Sequence, residues 1–176
     1  MLSSEKSTLR KEIRQRKFAF SADELHRKSS AILQKLEQHP LFIQAKTVLL
    51  YWSLPDEVYT HDFVERWSMQ KTILLPIIID DDIAPYLFDG KENMQSGCFS
   101  ISEPATAVCE DEINLAIVPG IAFSPQGQRL GRGKGYYDRF LADFHGKKIG
   151  ICFDFQLLPE IPVEQFDVKM DEVISN

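Results

Sequence analysis

The chain has 176 residues, of which 44% are apolar and 26% charged, and this ordinary globular composition predicts a single domain over residues 1–176. A formal net charge of −6 argues against a general nucleic-acid or acidic-membrane binder. Three cysteines without a C-x-x-C pattern and four scattered histidines argue against a disulfide framework and a zinc site. Without an apolar leader or a membrane-length apolar run, we expect a cytoplasmic protein.

The first part of the chain predicts two helices, a buried strand and a third helix. Leu9 and Ile13 lie four residues apart and predict a helix over about residues 4–18. Ser21 opens a capping box with Glu24, so a second helix is expected to begin there and to end at Pro40. The apolar run 47–53 predicts a buried strand, and Thr60 is expected to cap a helix through residue 67.

Strand-like runs alternate with a helical segment through the rest of the chain. Strands are expected at 72–78, 115–119 and 148–153, with weaker ones at 83–88 (an edge strand, because of Pro85) and 172–174, and a helix is expected at 136–144 with Gly146 as its stop. This alternation predicts an α/β fold with a mostly parallel sheet covered on both faces. Ligands bind beyond the carboxyl ends of such strands, which directs attention to the loops after residues 53, 76 and 119.

The loop after the strand at 115–119 combines glycines at 127, 131, 133 and 135 with Arg129, Arg132 and Lys134. Glycine permits positive φ, consecutive backbone N–H groups can surround an anion, and a following helix adds its positive end. The loop is not a Walker A motif, because Gly135 stands where Ser or Thr is required. It is not G-x-G-x-x-G either, because residue 136 is Tyr. It predicts a polyphosphate site; the alternative is a surface loop with solvated cations.

The first helix also carries a basic face. Lys6, Arg10, Arg14 and Lys17 fall within an arc of roughly 80°. Taken alone, such a face is more often simply solvated, but beside the glycine-rich loop it supports a phosphate site.

Several other side chains leave two interpretations open. Asp138, just inside the helix after the loop, would either stabilise the helix dipole or hold Mg²⁺. Glu57 follows a strand end, where an acid can face a ligand, and Trp52 is of a type more often found in a core. Asp171 has the character of a surface charge.

At the loop the sequence closely resembles the signature of the 5-formyltetrahydrofolate cyclo-ligase family. The resemblance lies in R-L-G-R-G-K-G-Y-Y-D at 129–138, preceded by V-P-G-I-A-F. K-S-T-L-R at 6–10, P-D-E at 55–57, E-P at 103–104 and K-M-D-E-V at 169–173 extend it, in order, over nearly the whole chain.

This resemblance implies a three-layer α/β/α sandwich of Rossmann-like type, ATP and Mg²⁺ as cofactors, and 5-formyltetrahydrofolate as substrate. It implies ATP contacts from Lys6, Arg10, Arg129, Leu130, Gly131, Arg132, Gly133, Lys134, Gly135, Tyr136 and Tyr137. It implies folate contacts from Trp52, Glu57, Arg132, Gly133, Lys134, Gly135 and Tyr136. Asp138 and Asp171 are expected to serve Mg²⁺, and Lys134, Arg132 and Glu57 to act in catalysis.

The reaction implied is phosphorylation of the formyl oxygen by ATP, attack of N10 on the same carbon, and release of phosphate. Positioning and charge neutralisation suffice for such chemistry, so no Ser, Cys or His nucleophile is needed. We expect a monomer whose partners are small molecules, with no nucleic acid and no membrane. The alternative is a non-catalytic folate- or nucleotide-binding relative of the same fold.

The chain departs from the family's pattern after Pro76. Many relatives have a basic residue there, whereas this chain continues with Ile77, Ile78 and Ile79 and then three aspartates at 80–82. Residues 83–96 also match the pattern poorly. This departure concerns contacts to the carboxylate tail of the folate and leaves the phosphate machinery complete.

Overall fold

The computed structural model describes residues 2–96, 102–104 and 112–176, so Cys98 and Cys109 lie outside it. The helices are α1 (Leu2–Lys17), α2 (Ala22–Glu37), α3 (Pro40–Gln44), α4 (His61–Ser68) and α5 (Tyr136–Ala142). The strands are β1 (Thr47–Leu49), β2 (Thr72–Ile79), β3 (Asp82–Leu87), β4 (Met94–Ser96), β5 (Ser102–Pro104), β6 (Leu115–Val118), β7 (Ala122–Phe123), β8 (Arg129–Leu130), β9 (Lys147–Cys152) and β10 (Glu172–Ser175).

Six strands form the central sheet in the order β10-β9-β6-β1-β2-β3. Every neighbouring pair is parallel except β2 and β3, which form an antiparallel hairpin. β3 lies at the edge, where Pro85 is opposite Pro76, so the two residues that lack an N–H group face each other. The mostly parallel α/β sheet with a proline-containing edge strand is therefore confirmed.

Alternation along the strands sends side chains to two separate cores. Val48 and Leu50 pack with residues of α2, α3 and α4, whereas Leu49 packs on the other face with Leu141 of α5. Period-two alternation in β1 thus explains why both faces of the sheet are apolar and covered. A third cluster joins Ile13 of α1 to residues around β7 and β8, so α1 is fixed beside the glycine-rich loop.

Local sequence signals predicted some ends of the helices correctly and others incorrectly. The capping box is confirmed: Ser21 and Glu24 exchange hydrogen bonds at the start of α2. Thr60 precedes α4, but its side chain makes no capping bond: its hydroxyl oxygen accepts instead from the Ser53 N–H at 3.2 Å, and its proton is donated to the Tyr51 carbonyl at 2.5 Å. The prediction that α2 ends at Pro40 was wrong, because α2 ends at Glu37 and Pro40 begins α3.

Two other predicted ends were too far along the chain. β1 ends at Leu49. Leu50 still donates a hydrogen bond to β2, and the chain then turns into the loop that carries Trp52. α5 ends at Ala142, so Gly146 is not its stop. Among the residues that the structure describes, no helix is both long and apolar enough to cross a membrane.

Candidate active site

The site lies where the strand order of the sheet reverses. From β1 the chain moves outward to β2 and β3, and it then returns to β6, on the other side of β1, before moving outward to β9 and β10. The loops after β1, β2 and β6 therefore meet at one edge of the sheet, which is the usual position of a ligand crevice in open α/β sheets.

The first cavity occupies this crevice and has a volume of about 380 Å³. Its wall is largely apolar and comes from the ends of β1 and β2 and from the aromatic residues that begin α5. Among the residues that line it are Trp52, Leu54, Leu75, Pro76, Ile78, Ile83, Tyr136 and Tyr137. Such a wall suits a flat, partly apolar ligand.

A second, more polar cavity of about 670 Å³ lies on the other side of the glycine-rich loop. It is bounded by α1, by the start of α5 and by the segment 164–168. The two cavities share Arg129, Gly131, Lys134, Gly135 and Asp138. A ligand in one cavity and a ligand in the other would consequently meet at the loop.

Positive φ angles shape this loop at three of the four predicted glycines, 127, 133 and 135, but not at Gly131. Gly133 has φ +101°, and a Cβ there would lie 3.4 Å from the Arg10 guanidinium carbon. Gly135 has φ +73° and stands immediately before α5. Both positions require a residue that tolerates left-handed backbone, and the first also allows Arg10 to approach the chain closely.

The basic face of α1 lies against the site. Arg10 Nε donates to the Gly131 carbonyl at 2.8 Å, Lys17 donates to the Pro55 carbonyl at 2.7 Å, and Arg14 lines the first cavity. Burial lowers the pKa of Arg10, and the positive charge of Arg14 lowers it further. The face therefore concentrates positive charge at the site and is not merely solvated.

Lys6 is the most buried cation of that face, at 5% exposure. Its Nζ lies 2.6 Å from Asp167 and 2.7 Å from Glu164. Burial works against its charge, but the bonds to Asp167 and Glu164 outweigh it and raise the pKa of Lys6. Lys6 lines the second cavity, as a phosphate contact would, and in this structure two carboxylates hold it.

Arg129 and Asp138 form a second buried pair. Arg129 Nη2 donates to Asp138 Oδ1 at 2.9 Å, and the same oxygen accepts from the Val168 N–H at 3.3 Å. Within the described part of the chain the buried Nε of Arg129 has no hydrogen-bond partner. The Arg129 guanidinium also lies 5.5 Å from the ring centre of Tyr137. A buried donor without a partner is unusual, and here it belongs to a residue that lines both cavities.

Glu57 is held from two sides. Its Oε2 accepts from the Leu54 N–H at 2.9 Å, and its Oε1 accepts from Arg132 Nε and Nη2 at 3.2 and 3.0 Å. Burial raises the pKa of Glu57, and the bond from Leu54 and the charge of Arg132 oppose that rise without cancelling it. Arg132 also pairs with Asp56 at 2.5 Å. Glu57 therefore combines proton affinity with a fixed position in the first cavity.

Trp52 is a cavity wall as well as part of the core. Its ring stacks on His61, with centroids 3.9 Å apart and planes 10° apart, and packs against Phe88 at 5.8 Å. A ring nitrogen of His61 lies 3.0 Å from the Ser53 carbonyl. The indole is consequently fixed before any ligand arrives.

The other residues of the loop and of the start of α5 differ in how exposed their side chains are. Lys134 lines both cavities, is exposed, and has no hydrogen bond or ion pair from its side chain to any described residue. Arg139 lies over the Tyr136 ring, 5.5 Å from its centre. Leu130 turns its side chain into the core, at 1% exposure, and borders the second cavity.

The two carboxylates predicted for Mg²⁺ are in different surroundings. Asp138 lines both cavities, and its Oδ2 has no hydrogen-bond partner in the described ranges. Asp171 precedes β10 and pairs with Lys147 and Lys148 at the start of β9; it lines neither cavity. The described residues contain no group of three His, Cys, Asp or Glu placed to hold a metal. Asp138 fits a metal held mainly by ligand phosphates, and Asp171 does not join it in this arrangement.

Sequence reasoning missed several partners. Asp56, His61, Glu164 and Asp167 each hold a predicted site residue, but none was named as part of the site. Asp56 lies inside the P-D-E motif and could have been found there. Glu164 and Asp167 are more than 150 residues from Lys6, and no local pattern connects them.

The fold and the site together define an α/β protein with a basic, glycine-rich loop between two cavities. The family model of the 5-formyltetrahydrofolate cyclo-ligase family matches residues 2–176, and the chain belongs to that family.

Relatives and solved structures agree with this assignment. The chain is 30% identical to mouse 5-formyltetrahydrofolate cyclo-ligase, covering 98% of this chain and 94% of the relative. It is 28% identical to the enzyme of Escherichia coli K12, covering 93% and 96%. The NMR structure of Aquifex aeolicus 5,10-methenyltetrahydrofolate synthetase superimposes with a TM-score of 0.87 at 32% identity, covering 96% of this chain and 88% of that one. The Mycoplasma pneumoniae synthetase gives 0.78 at 29% identity, covering 97% and 98%.

Proposed function

We propose that this chain catalyses the ATP-dependent cyclisation of 5-formyltetrahydrofolate to 5,10-methenyltetrahydrofolate, with release of ADP and phosphate. The observation that carries the proposal is the pair of cavities joined by one loop. Residues 129–138 border both, so a nucleotide on one side can deliver its terminal phosphoryl group to a substrate on the other. Family membership over residues 2–176 supports the same reaction.

The nucleotide belongs in the second cavity. Lys6, Arg10, Arg129 and Lys134 line it, and they offer positive charge for phosphate oxygens. Phosphates that reach Lys6 compete with Glu164 and Asp167 for its ammonium group. The Lys134 ammonium is already free of described partners, so it can bind phosphate without breaking an ion pair.

The folate belongs in the first cavity, with its ring system against Trp52 and Tyr136 and near Glu57. Its formyl oxygen takes the γ-phosphoryl group as the bond to ADP breaks. N10 then attacks the formyl carbon, the carbon–oxygen bond breaks, and phosphate leaves. The raised pKa of Glu57 suits it to accept the proton that N10 loses.

Mg²⁺ is part of the proposal through Asp138 alone. Bound with the nucleotide, the ion supplies charge neutralisation at the phosphates. Asp138 Oδ2 is the carboxylate oxygen available to it, directly or through water. Asp171 is not carried forward, since Lys147 and Lys148 already neutralise it.

An absorbance assay tests the proposal, because the methenyl product absorbs in the near ultraviolet where the formyl substrate does not. Purified protein would be mixed with 5-formyltetrahydrofolate, Mg²⁺ and ATP, with a control that lacks ATP. An ATP-dependent rise in absorbance is expected. If ATP binds in calorimetry but absorbance stays flat, the chain is a non-catalytic relative and the proposal is wrong.

A further inference from the structure

Among the described residues, four cations line the first cavity, and they differ in their partners: Arg14, Arg129, Arg132 and Lys134. Arg129 is paired with Asp138, and Arg132 is paired with Asp56 and Glu57. Lys134 also lines the second cavity, where phosphates would compete for it. Arg14 lines the first cavity only, and its guanidinium has no hydrogen bond or ion pair to any described residue. Arg14 is therefore an unpaired cation that only the first cavity can use.

The border of the same cavity at the turn from β2 to β3 carries no cation among its described residues and is negatively charged. Ile78 and Ile83 line it where β2 turns into β3, and the turn between them carries Asp80, Asp81 and Asp82. Of those three carboxylates, Asp82 is paired, with Arg139 at 3.1 Å. An anionic group leaving the cavity past this turn would meet negative charge, whereas one leaving past α1 would meet Arg14.

The substrate class of the proposed function has a matching shape. A folate has a flat ring system at one end and a glutamate at the other, so an apolar cavity that holds the rings must release carboxylates toward its mouth. Each added glutamate brings one more negative charge. The basic face of α1 continues from Arg14 to Arg10. Burial lowers the pKa of Arg10, and the neighbouring positive charge of Arg14 lowers it further. An anion placed there therefore relieves the repulsion between the two like charges.

We propose that Arg14 is a specificity-determining residue that binds the glutamate tail of the folate and makes this chain favour substrates with longer anionic tails. The inference rests on the proposed function, because it assumes that folate occupies the first cavity. It assigns to α1 a second role, on the folate side of the loop, in addition to its phosphate-side cations.

The test compares three substrates that differ only in the tail: 5-formyltetrahydropteroate without glutamate, the monoglutamate and the triglutamate. Arg14→Ala is expected to raise KM about five- to tenfold for the monoglutamate, more for the triglutamate, and not at all for the pteroate, with kcat unchanged. Arg14→Glu should raise KM further for the two substrates that carry glutamate and still leave KM for the pteroate unchanged. Lys11→Ala is the matched control, because Lys11 is an exposed cation on the same helix that lines neither cavity.

Calorimetric binding of the same three compounds without ATP separates two kinds of failure. A wild-type chain that binds folates but forms no methenyl product overturns the proposed function, while its tail preference still tests Arg14. An active wild type overturns the inference on Arg14 if Arg14→Ala changes affinity equally for all three compounds, or for none. Screening supplies a further sign: added salt should weaken triglutamate binding to wild type more than to Arg14→Ala.

Discussion

Arg132 donates hydrogen bonds from both Nε and Nη2 to a single carboxylate oxygen of Glu57, at 3.2 and 3.0 Å. The contact joins the glycine-rich loop to the loop after β1 across the first cavity. It also opposes the effect of burial on Glu57, whose pKa stays above its ordinary value of 4.5. The pair therefore sets the pH at which Glu57 becomes available as a base.

This relationship predicts the acid side of the pH profile. If Glu57 accepts the N10 proton, kcat/KM falls as the pH drops through its raised pKa, above 4.5. Glu57→Gln should lower kcat about a hundredfold or more and remove that acid limb. Arg132→Gln, which takes away an opposing positive charge, should move the limb to higher pH. Steady-state rates across the pH range check both, and an unchanged limb in Glu57→Gln would show that another group titrates.

Lys134 is the exposed cation common to both cavities, so its loss should affect chemistry and leave stability unchanged. Lys134→Ala is expected to reduce kcat by about a hundredfold or more, because positive charge at the transferring phosphoryl group is missing. Lys46→Ala is the control, since Lys46 is exposed and lines neither cavity. Circular dichroism should show both variants folded. Near-normal turnover of Lys134→Ala would remove the central role given to this loop.

Lys6 should matter for stability even without nucleotide. Lys6→Met leaves Glu164 and Asp167 without their buried partner and is expected to lower the free energy of unfolding by about 3 kcal/mol. Lys28→Met removes a more exposed pair with Asp154 and should cost less than about 1 kcal/mol. Urea denaturation compares the two. Equal losses in the free energy of unfolding would mean that burying the Lys6 ion pairs adds nothing to their effect on stability.

The pH dependence of this contribution has a definite sign. The pKa of Lys6 is raised above its ordinary value of 10.5, so its contribution is fully present below pH 10.5 and is lost as the pH rises through the folded value. The difference in stability between wild type and Lys6→Met should therefore shrink in strongly alkaline solution.

His61 is expected to act through Trp52 as a positioning residue. His61→Ala removes the ring that stacks 3.9 Å from the indole, so KM for the folate should rise several-fold while kcat holds. His61→Phe, which keeps a stacking ring, should restore most of the affinity. A change in kcat alone would contradict a positioning role.

Burial lowers the pKa of His61, so its contribution to stability is full above pH 6.5 and is lost as the pH falls through the folded value. As the pH falls, the Tm of wild type should therefore drop relative to that of His61→Phe, because the phenyl ring carries no titrating group.

Local patterns predicted what depends on near neighbours in the chain. The Ser21 capping box, the β2 and β6 strands and the basic arc of α1 all follow from residues a few positions apart. Thr60 shows the limit: its residue type is right for a cap, but Tyr51 offers its hydroxyl a buried carbonyl.

The partners of the site cations needed the fold. Lys6 meets Glu164 only because α1 packs beside β8, and Arg132 meets Asp56 only because the loops after β1 and β6 share a sheet edge. These contacts depend on tertiary packing, so no spacing rule could supply them, and they decide how much of each charge remains available to a ligand.

The bonds from Lys6 to Glu164 and Asp167 tie the first helix to a segment near the other end of the chain. During synthesis, α1 leaves the ribosome before residues 164–167 and lacks those partners until they have been made. The nucleotide side of the site therefore cannot assemble on a nascent chain that stops short of them. A truncated product would carry the glycine-rich loop intact and still lack a finished wall for the cavity beside it.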